Sequence, residues 1–551
     1  MHRDVPPGRR SATTVAQMVR ARADDDNVGL LYGDRSWTWR EVVAEAAARA
    51  SWLGETLAED RPPHVGVLLP NVPEYAFLMF GAALAGACVV GLNPTRRGAE
   101  LVRDIDHTCC QSVVADATYA DLVEGPVRVE DDPWSAHRGA ALPDADPSPT
   151  ALMCLLFTSG STSAPKAAMC SQGRVARGTA FGLGPGDTFY CPMPLSHGNA
   201  LSAALFPALA SGARLLLRER FSAAAWLDDV RSHDVTFTNT VGRALGYVLA
   251  TPPTSRDREH RLKVVLAPEA SPRDMADFTA RFGVTVFGGY GSSEGGIALV
   301  PARKPGSLGL AQPGADIAVV DASGAECERA QFDAGGRLCN AERAIGELVR
   351  RNAGGGFEGY WNNPEAESER LRGGWFWSGD LAYRDGDDVF WFAGRIGDWL
   401  RVDSENFAAS PVERIVGRYG PAAAVSVVGV PDPVAGDQVM AVLELAPDKA
   451  FDPVDFAEFL CAQLDLGTKW APRFVRVTAA IPVLGNGKID KKPLRREAWL
   501  CEDPVWWQPP RASAYTPMTS ADRDWLREQF EVHDRMAAFP VTGPLIPSAE
   551  R

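Results

Sequence analysis

Short apolar runs alternate with helical runs through the first two thirds of this chain, and that alternation constrains the fold more than any other feature. His64–Leu69 reads as a strand, Pro73–Ala85 as a helix, Ala87–Val90 as a strand and Gly98–Ile105 as a helix. The pattern recurs in strands at Arg214–Arg218, Val235–Thr240 and Lys263–Ala267, with helices at Ala223–Ser232 and Pro272–Phe282 between them. Ser271, Pro272 and Asp274 supply a cap, a first-turn proline and an early acid, a good helix start. Strand–helix alternation predicts largely parallel sheets covered by helices. Tyr75 to Leu92 is apolar and uncharged, long enough to raise a membrane span. Gly81, Gly86 and Gly91 punctuate it and Cys88–Val90 is β-type, so a buried helix followed by a buried strand is expected.

A chain of 551 residues exceeds one typical domain, so at least two are expected. Glycines and aromatics crowd between Gly354 and Trp377, predicting turns and short strands. After Gly394 the pattern changes. Ser410, Pro411 and Glu413 form a capping-box signature for a helix reaching Tyr419. Strands at Ala424–Val430, Val439–Leu445 and Phe474–Val477, with a helix at Pro453–Leu464, predict a compact α+β module. From Glu502 to Arg551 no periodic pattern stands out.

A net charge of -14 argues against nucleic acid as a partner, because phosphate backbones select basic surfaces. The ten cysteines show no C-x-x-C spacing, so neither a zinc site nor a disulfide framework is legible, and a reducing cytoplasm fits. The N-terminus is basic without an apolar core, unlike a secretory signal.

One loop carries chemistry. The apolar run Leu152–Phe157 reads as a buried strand and ends in Thr158–Lys166, which combines hydroxyls, glycine, proline and one lysine. Backbone N–H groups, hydroxyl donors and a cation in one place are what a polyphosphate needs. The spacing is not that of a P-loop, and an ordinary polar turn would look similar. Four further segments follow in order: GGYGSSEGG (Gly288–Gly296), SGD (Ser378–Asp380), GRIGDWLRVDSEN (Gly394–Asn406) and GNGKIDKKPLR (Gly485–Arg495).

Together these five segments resemble the signature motifs of the adenylate-forming superfamily, which includes acyl-CoA synthetases, peptide-synthetase adenylation domains and luciferases. The likeness runs from about Thr14 to Glu497. It implies an α/β fold: a large multi-sheet N-terminal domain with parallel sheets, plus a small mobile α+β C-terminal domain. The expected boundaries are a flexible tail at 1–13, an AMP- and acyl-binding domain at 14–394, a lid at 395–500 hinged at Gly397, and an extension at 501–551.

The resemblance also implies roles. Carboxylate attack on the α-phosphorus of ATP brings two anions together, so charge must be neutralised and the reactants aligned. Thr158, Ser159, Gly160, Ser161, Thr162 and Lys166 would wrap the β- and γ-phosphates, with Ser163 standing where the family usually has a second glycine. Glu294, with Thr158, would hold Mg²⁺. Tyr290, flanked by Gly289 and Gly291, would stack on adenine, Ser293 would lie near the α-phosphate, and Asp380 would take the ribose hydroxyls next to Arg395. Lys488 would bridge carboxylate and α-phosphate, and His197 would gate the acyl pocket. Lys491, Lys492, Arg495 and Arg496 read as a solvated basic face.

RDMADFTARFGVTVFGGYGSSEGG, GGFEGYWNNPEA and the tail from Asp503 with Tyr515 and Pro517–Thr519 resemble the fatty-acid-transport-protein type of long- and very-long-chain acyl-CoA synthetase. Asp403–Ser404 departs from a Lys-Gly pair, and APEAS at Ala267–Ser271 from a glycine-containing turn. The expected activity is ATP-dependent CoA ligation of a hydrophobic acid, fatty or steroidal, by a cytosolic or peripherally membrane-bound enzyme, with a homodimer allowed. Small residues at Ala200–Ala204 and Gly242–Gly246 permit a wide apolar pocket, and helix packing explains them equally well. Loading a carrier protein, or acyl and nucleotide binding without turnover, are the alternatives.

Overall fold

The computed structural model describes residues 12–540 except 95, 97, 145, 159–164, 178–181, 269, 303, 305, 334–337, 353–355, 396–398, 403–404, 435, 464–465, 468, 485–487, 511 and 513. The chain forms two compact units: Met1–Ala270 with Asp274–Ala298 and Asn352–Phe376, and Leu299–Arg351 with Trp377–Arg551 and Ser271–Arg273.

Two sheets build the first unit. One has six strands in the order Val127–Arg128, Ser112–Ala115, His64–Leu68, Cys88–Gly91, Leu152–Phe157 and Ala167–Ser171. All its neighbours run parallel except the last pair, an antiparallel hairpin. The other has seven, in the order Thr285–Phe287, Val264–Leu266, Phe237–Asn239, Thr188–Cys191, Arg214–Leu217, Val28–Tyr32 and Arg35–Thr38. It too is parallel up to its final antiparallel pair. His64–Leu68 and Cys88–Gly91 are buried at every position, as strands covered on both faces must be.

The helix Pro73–Ala85 starts with proline in its first turn and ends at Gly86 in a left-handed conformation. It is apolar all round and lies inside the unit, followed by the strand Cys88–Gly91, as expected from Tyr75–Leu92. No helix among the described residues is long and apolar enough to cross a membrane.

In the second unit, Ile317–Val320, Gly346–Arg350, Trp375–Arg384 and Phe390–Arg395 belong to one sheet, the first two and the last two pairing antiparallel. A second sheet runs Ala422–Pro431, Asp437–Leu445, Phe474–Thr478, Val505–Trp507 and Thr516–Pro517. Ala409–Val416 and Pro453–Cys461 help close one apolar core on it (Val412, Val416, Phe456, Leu460). Lys491–Glu497 and Ser520–Val532 help close another (Leu494, Trp499, Leu526, Phe530).

Four local expectations need correction. The helix expected from Ser410 begins at Ala409, so Ser410 lies inside it and does not cap it; Glu413 instead accepts the Val427 N–H at 2.8 Å. Lys491 is not solvated: its ammonium meets Glu413 at 2.8 Å and its side chain is 16% exposed. Gly354–Trp377 contains a helix, Pro364–Arg370, capped by Asn363. The described residues after Glu502 include two strands and a helix whose Thr519 and Asp522 form a capping box.

Candidate functional site

The hairpin formed by Leu152–Phe157 and Ala167–Ser171 presents the phosphate-type loop at its tip. Thr158 N–H donates to the Lys166 carbonyl at 3.0 Å, closing the loop's base. Ser159, Gly160, Ser161 and Thr162, with Ser163, lie outside the described residues. Against this hairpin runs Gly359–Trp361: Met169 N–H donates to Gly359 O, Trp361 N–H donates to Ala167 O, and Ala168 bridges Tyr360. The Asn363 amide donates to Pro165 O at 3.1 Å, and Lys166 pairs with Glu369 at 2.8 Å. That ammonium holds the Glu369 carboxyl below the usual carboxylate range.

This strip also fixes Glu294. The carboxylate is 7% exposed, and its Oε1 accepts the Tyr360 hydroxyl at 2.9 Å, with Arg370 Nη2 at 4.0 Å. Burial pushes the Tyr360 phenol above its usual range, so it remains a donor near neutrality. Arg174 donates to Met169 O at 2.6 Å and to Ser293 O at 2.5 Å, tying the Tyr290–Gly296 segment to the hairpin. Gly295 has φ +68°, and a Cβ there would stand 2.3 Å from Arg174 Nη2, so glycine is required. Tyr290 and Gly289 are half-buried, and Gly291 is exposed. Thus Thr158, Lys166 and Glu294 share one cluster.

Tyr360, Arg370, Glu369, Asn363 and Arg174 had no role assigned from sequence. Tyr360 and Asn363 had one signal, the segment GGFEGYWNNPEA that carries the branch resemblance; Glu369, Arg370 and Arg174 had none. A buried hard carboxylate close to a hydroxyl-bearing phosphate loop suits Mg²⁺, which takes one or two carboxylates and completes its shell with phosphate oxygens and water.

His197 precedes the short helix Gly198–Ala200, its backbone N–H donating to Pro194 O at 3.0 Å. A Cβ on Gly198 would stand 3.4 Å from Ser293 Oγ, so the His197–Asn199 corner lies against the Glu294 segment. His197, Asn199, Thr240 and Gly289 follow the carboxyl ends of parallel strands, where ligands of open α/β sheets bind.

Asp380 and Arg395 lie in the second unit and face each other in register across Trp375–Arg384 and Phe390–Arg395. SGD is therefore strand, not turn, with Ser378 Oγ donating to Leu348 O at 2.6 Å and accepting the Asp380 N–H at 3.1 Å. The Arg395 side chain, Gly397 and Asp403–Ser404 lie outside the described residues. Lys488, half-buried, closes a small hairpin: its carbonyl accepts the Leu484 N–H at 2.7 Å, and Val483 bridges Ile489. Gly485–Gly487 lie outside the described residues.

A model of the AMP-binding enzyme family matches residues 18–361. The chain belongs to that family. Steroid-22-oyl-CoA synthetase of Rhodococcus jostii (strain RHA1) is 46% identical over 546 residues, covering 95% of this chain and 98% of that protein. Medium/long-chain-fatty-acid–CoA ligase FadD17 of Mycobacterium marinum (strain ATCC BAA-535 / M) is 40% identical over 506 residues, covering 90% and 98%. The crystal structure of the anthranilate CoA ligase AuaEII in complex with anthranoyl-AMP superposes with a TM-score of 0.78 at 20% identity, over 89% of this chain and 98% of that one, which supports the fold. Within the AMP-binding family this chain is an acyl-CoA synthetase, an acid–thiol ligase that works through an acyl-adenylate with ATP, Mg²⁺ and CoA.

Proposed function

We propose that the acid this ligase activates is a steroid side-chain carboxylic acid. The carrying observation is the 46% identity to a steroid-22-oyl-CoA synthetase along 95% of this chain. The 40% identity to FadD17 supports a medium- or long-chain fatty acid as the second reading.

In this reading Lys166 and Thr158, with Ser159–Thr162, bind the β- and γ-phosphates, and Glu294 with Thr158 holds Mg²⁺, which supplies charge neutralisation on the phosphates. Tyr360 orients the Glu294 carboxylate through its hydroxyl. Tyr290 packs on adenine between Gly289 and Gly291, Ser293 lies near the α-phosphate, and Asp380 takes the ribose hydroxyls beside Arg395. Lys488 stabilises the charge that develops as carboxylate attacks the α-phosphorus and pyrophosphate leaves. The CoA thiol then attacks the mixed anhydride and releases AMP, the lid at 395–500 having turned about Gly397 and withdrawn Lys488. His197 gates the acid pocket. Peripheral membrane association at the inner face, and a homodimer, belong to the same proposal.

The test is thioester formation with a steroid-22-oic acid against medium- and long-chain fatty acids, with free CoA as acceptor. Preference for the steroid acid supports the first reading; preference for fatty acids replaces it with the second. Adenylate without thioester would point to a carrier-protein acceptor.

A further inference from the structure

The helix Pro364–Arg370 brings its last two residues, Glu369 and Arg370, to the base of the Thr158–Lys166 loop and to Glu294. Two contacts seat it there. Asn363 accepts the Ala366 N–H at 3.0 Å and donates to Pro165 O at 3.1 Å. Ala366, 3% exposed, packs with Ala168 and Tyr360. Residues four apart share a helix face, so the turn that lays Ala366 on the hairpin also carries Arg370 toward it.

Lys166 is the one cation within Thr158–Lys166, and it is already paired with Glu369 at 2.8 Å. A pyrophosphate group carries several negative charges, so a single shared ammonium matches it poorly. Arg174 and Arg370 both reach this cluster. Arg174 is engaged with two backbone carbonyls, Met169 O and Ser293 O. Arg370 is placed differently: its Nη2 is 4.0 Å from Glu294 Oε1, longer than a hydrogen bond, and its Nε donates to the Tyr360 hydroxyl at 3.4 Å. Its side chain is 25% exposed, against 9% for that of Glu294, so it is open to a ligand.

So loose an ion pair suits a guanidinium that changes partner. When Glu294 turns to a divalent cation, Arg370 faces a second positive charge, and the phosphates are the anions that arrive with it. We infer that Arg370 is a second cation for the pyrophosphate end of the nucleotide, exchanging Glu294 for phosphate oxygens when ATP binds. A guanidinium presents paired, planar donors that fit phosphate oxygens in a way an ammonium cannot. Charge gathers on the departing pyrophosphate as the acyl-adenylate forms, so a cation held there favours the transition state. The inference rests on the phosphate reading of Thr158–Lys166 given above and adds a ligand from outside that motif.

The experiment titrates the nucleotide-free protein calorimetrically with magnesium pyrophosphate and, separately, with AMP. Arg370→Gln should weaken pyrophosphate binding about 10- to 100-fold and leave AMP affinity unchanged. Arg370→Lys should recover part of the loss, which a packing role would not predict. In turnover, Arg370→Gln should lower kcat for pyrophosphate release while KM for the acid stays put. Wild-type pyrophosphate affinity in Arg370→Gln, or equal loss of pyrophosphate and AMP, overturns the inference. A lowered magnesium requirement with unchanged pyrophosphate affinity also overturns it, because Arg370 would then serve only as a counter-ion to Glu294. Lys166→Met separates the two levels: if it weakens pyrophosphate binding and Arg370→Gln does not, only the inference falls. If neither variant changes pyrophosphate affinity, the phosphate reading of the loop falls with it.

Discussion

The hydroxyl of Tyr360 donates to Oε1 of Glu294 at 2.9 Å, and the tyrosine and the carboxylate are only 3% and 7% exposed. A buried carboxylate in this position must be held for its ligand and hydrogen-bonded while it waits. Tyr360 does both, because the Gly359–Trp361 strip is itself fixed to the phosphate hairpin by backbone hydrogen bonds. The acid proposed to hold Mg²⁺ is thus aligned by the same element that borders the Thr158–Lys166 loop.

Tyr360→Phe should therefore raise the Mg²⁺ concentration needed for half-maximal pyrophosphate release and lower kcat about tenfold, with little change in KM for the acid. Loss of a hydrogen bond to a charged group costs about 1.5–3 kcal/mol, so the thermal midpoint should also fall. A variant with an unchanged magnesium requirement would show that Tyr360 acts only in packing against Phe357.

Lys488→Ala should remove adenylation while sparing the second half-reaction. Preorganised charge at a developing oxyanion is typically worth a factor of ~10²–10³ in rate, and the thiol attack does not call on it. Pyrophosphate release with acid and ATP, set beside thioester formation from supplied acyl-adenylate, separates the two. Equal loss of both would assign Lys488 to folding or to general binding.

The regular frame was open to a reader of the sequence because burial on both faces writes itself as unbroken apolar runs. Leu152–Phe157 and Pro73–Ala85 occur as read on that signal, and the amphipathic helices Ala223–Ser232 and Pro272–Phe282 occur as read from their place between strands. Where a helix shows the core only a narrow stripe, that signal fails: Ser520–Val532 buries just Leu526 and Phe530. Its capping box was present in the letters but had no apolar run behind it. Ser410 shows the converse, a cap pattern inside a helix whose Glu413 is used by a neighbouring strand instead. Motif residues such as Thr158, Lys166 and Glu294 could be found locally. Their partners Tyr360, Glu369 and Arg370 could not, because tertiary approach of 352–376 to a distant hairpin leaves no periodic trace.

Glu369 should prove a competitor for Lys166. The ammonium that pairs with it at 2.8 Å is the one expected to meet ATP phosphates, so nucleotide binding must share or displace the carboxylate. Glu369→Gln should lower KM for ATP severalfold; a rise would mean that the carboxylate holds Lys166 in its working place. The pair also has a pH signature. Lys166 depresses the Glu369 pKa in the folded state, so the pair's contribution is present above the ordinary carboxylate range and is lost as pH falls through the depressed value. A ¹³C carboxyl titration should show Glu369 ionised at a pH where exposed glutamates are already protonated, and that difference should vanish in Lys166→Met.

The C-terminal stretch should be indispensable to the second unit. Val505–Trp507 pairs antiparallel with Phe474–Thr478, and Trp507 stacks on Phe474 with ring centroids 6.0 Å apart. Phe474 stacks in turn on Trp499 at 4.9 Å, and Phe530 from the last long helix packs at 6.2 Å from Trp499. Trp499 and Phe530 are fully buried and Trp507 is 2% exposed. Deleting residues from 502 onward would strip two strands from the sheet and uncover this aromatic core. Phe530→Ala, which removes one ring and no backbone, should cost about 3–5 kcal/mol, and Trp507→Ala a similar amount. Thermal unfolding with probes in each unit should show the second unit's transition falling while the first holds. A truncated chain that keeps the wild-type midpoint would refute this account of the extension.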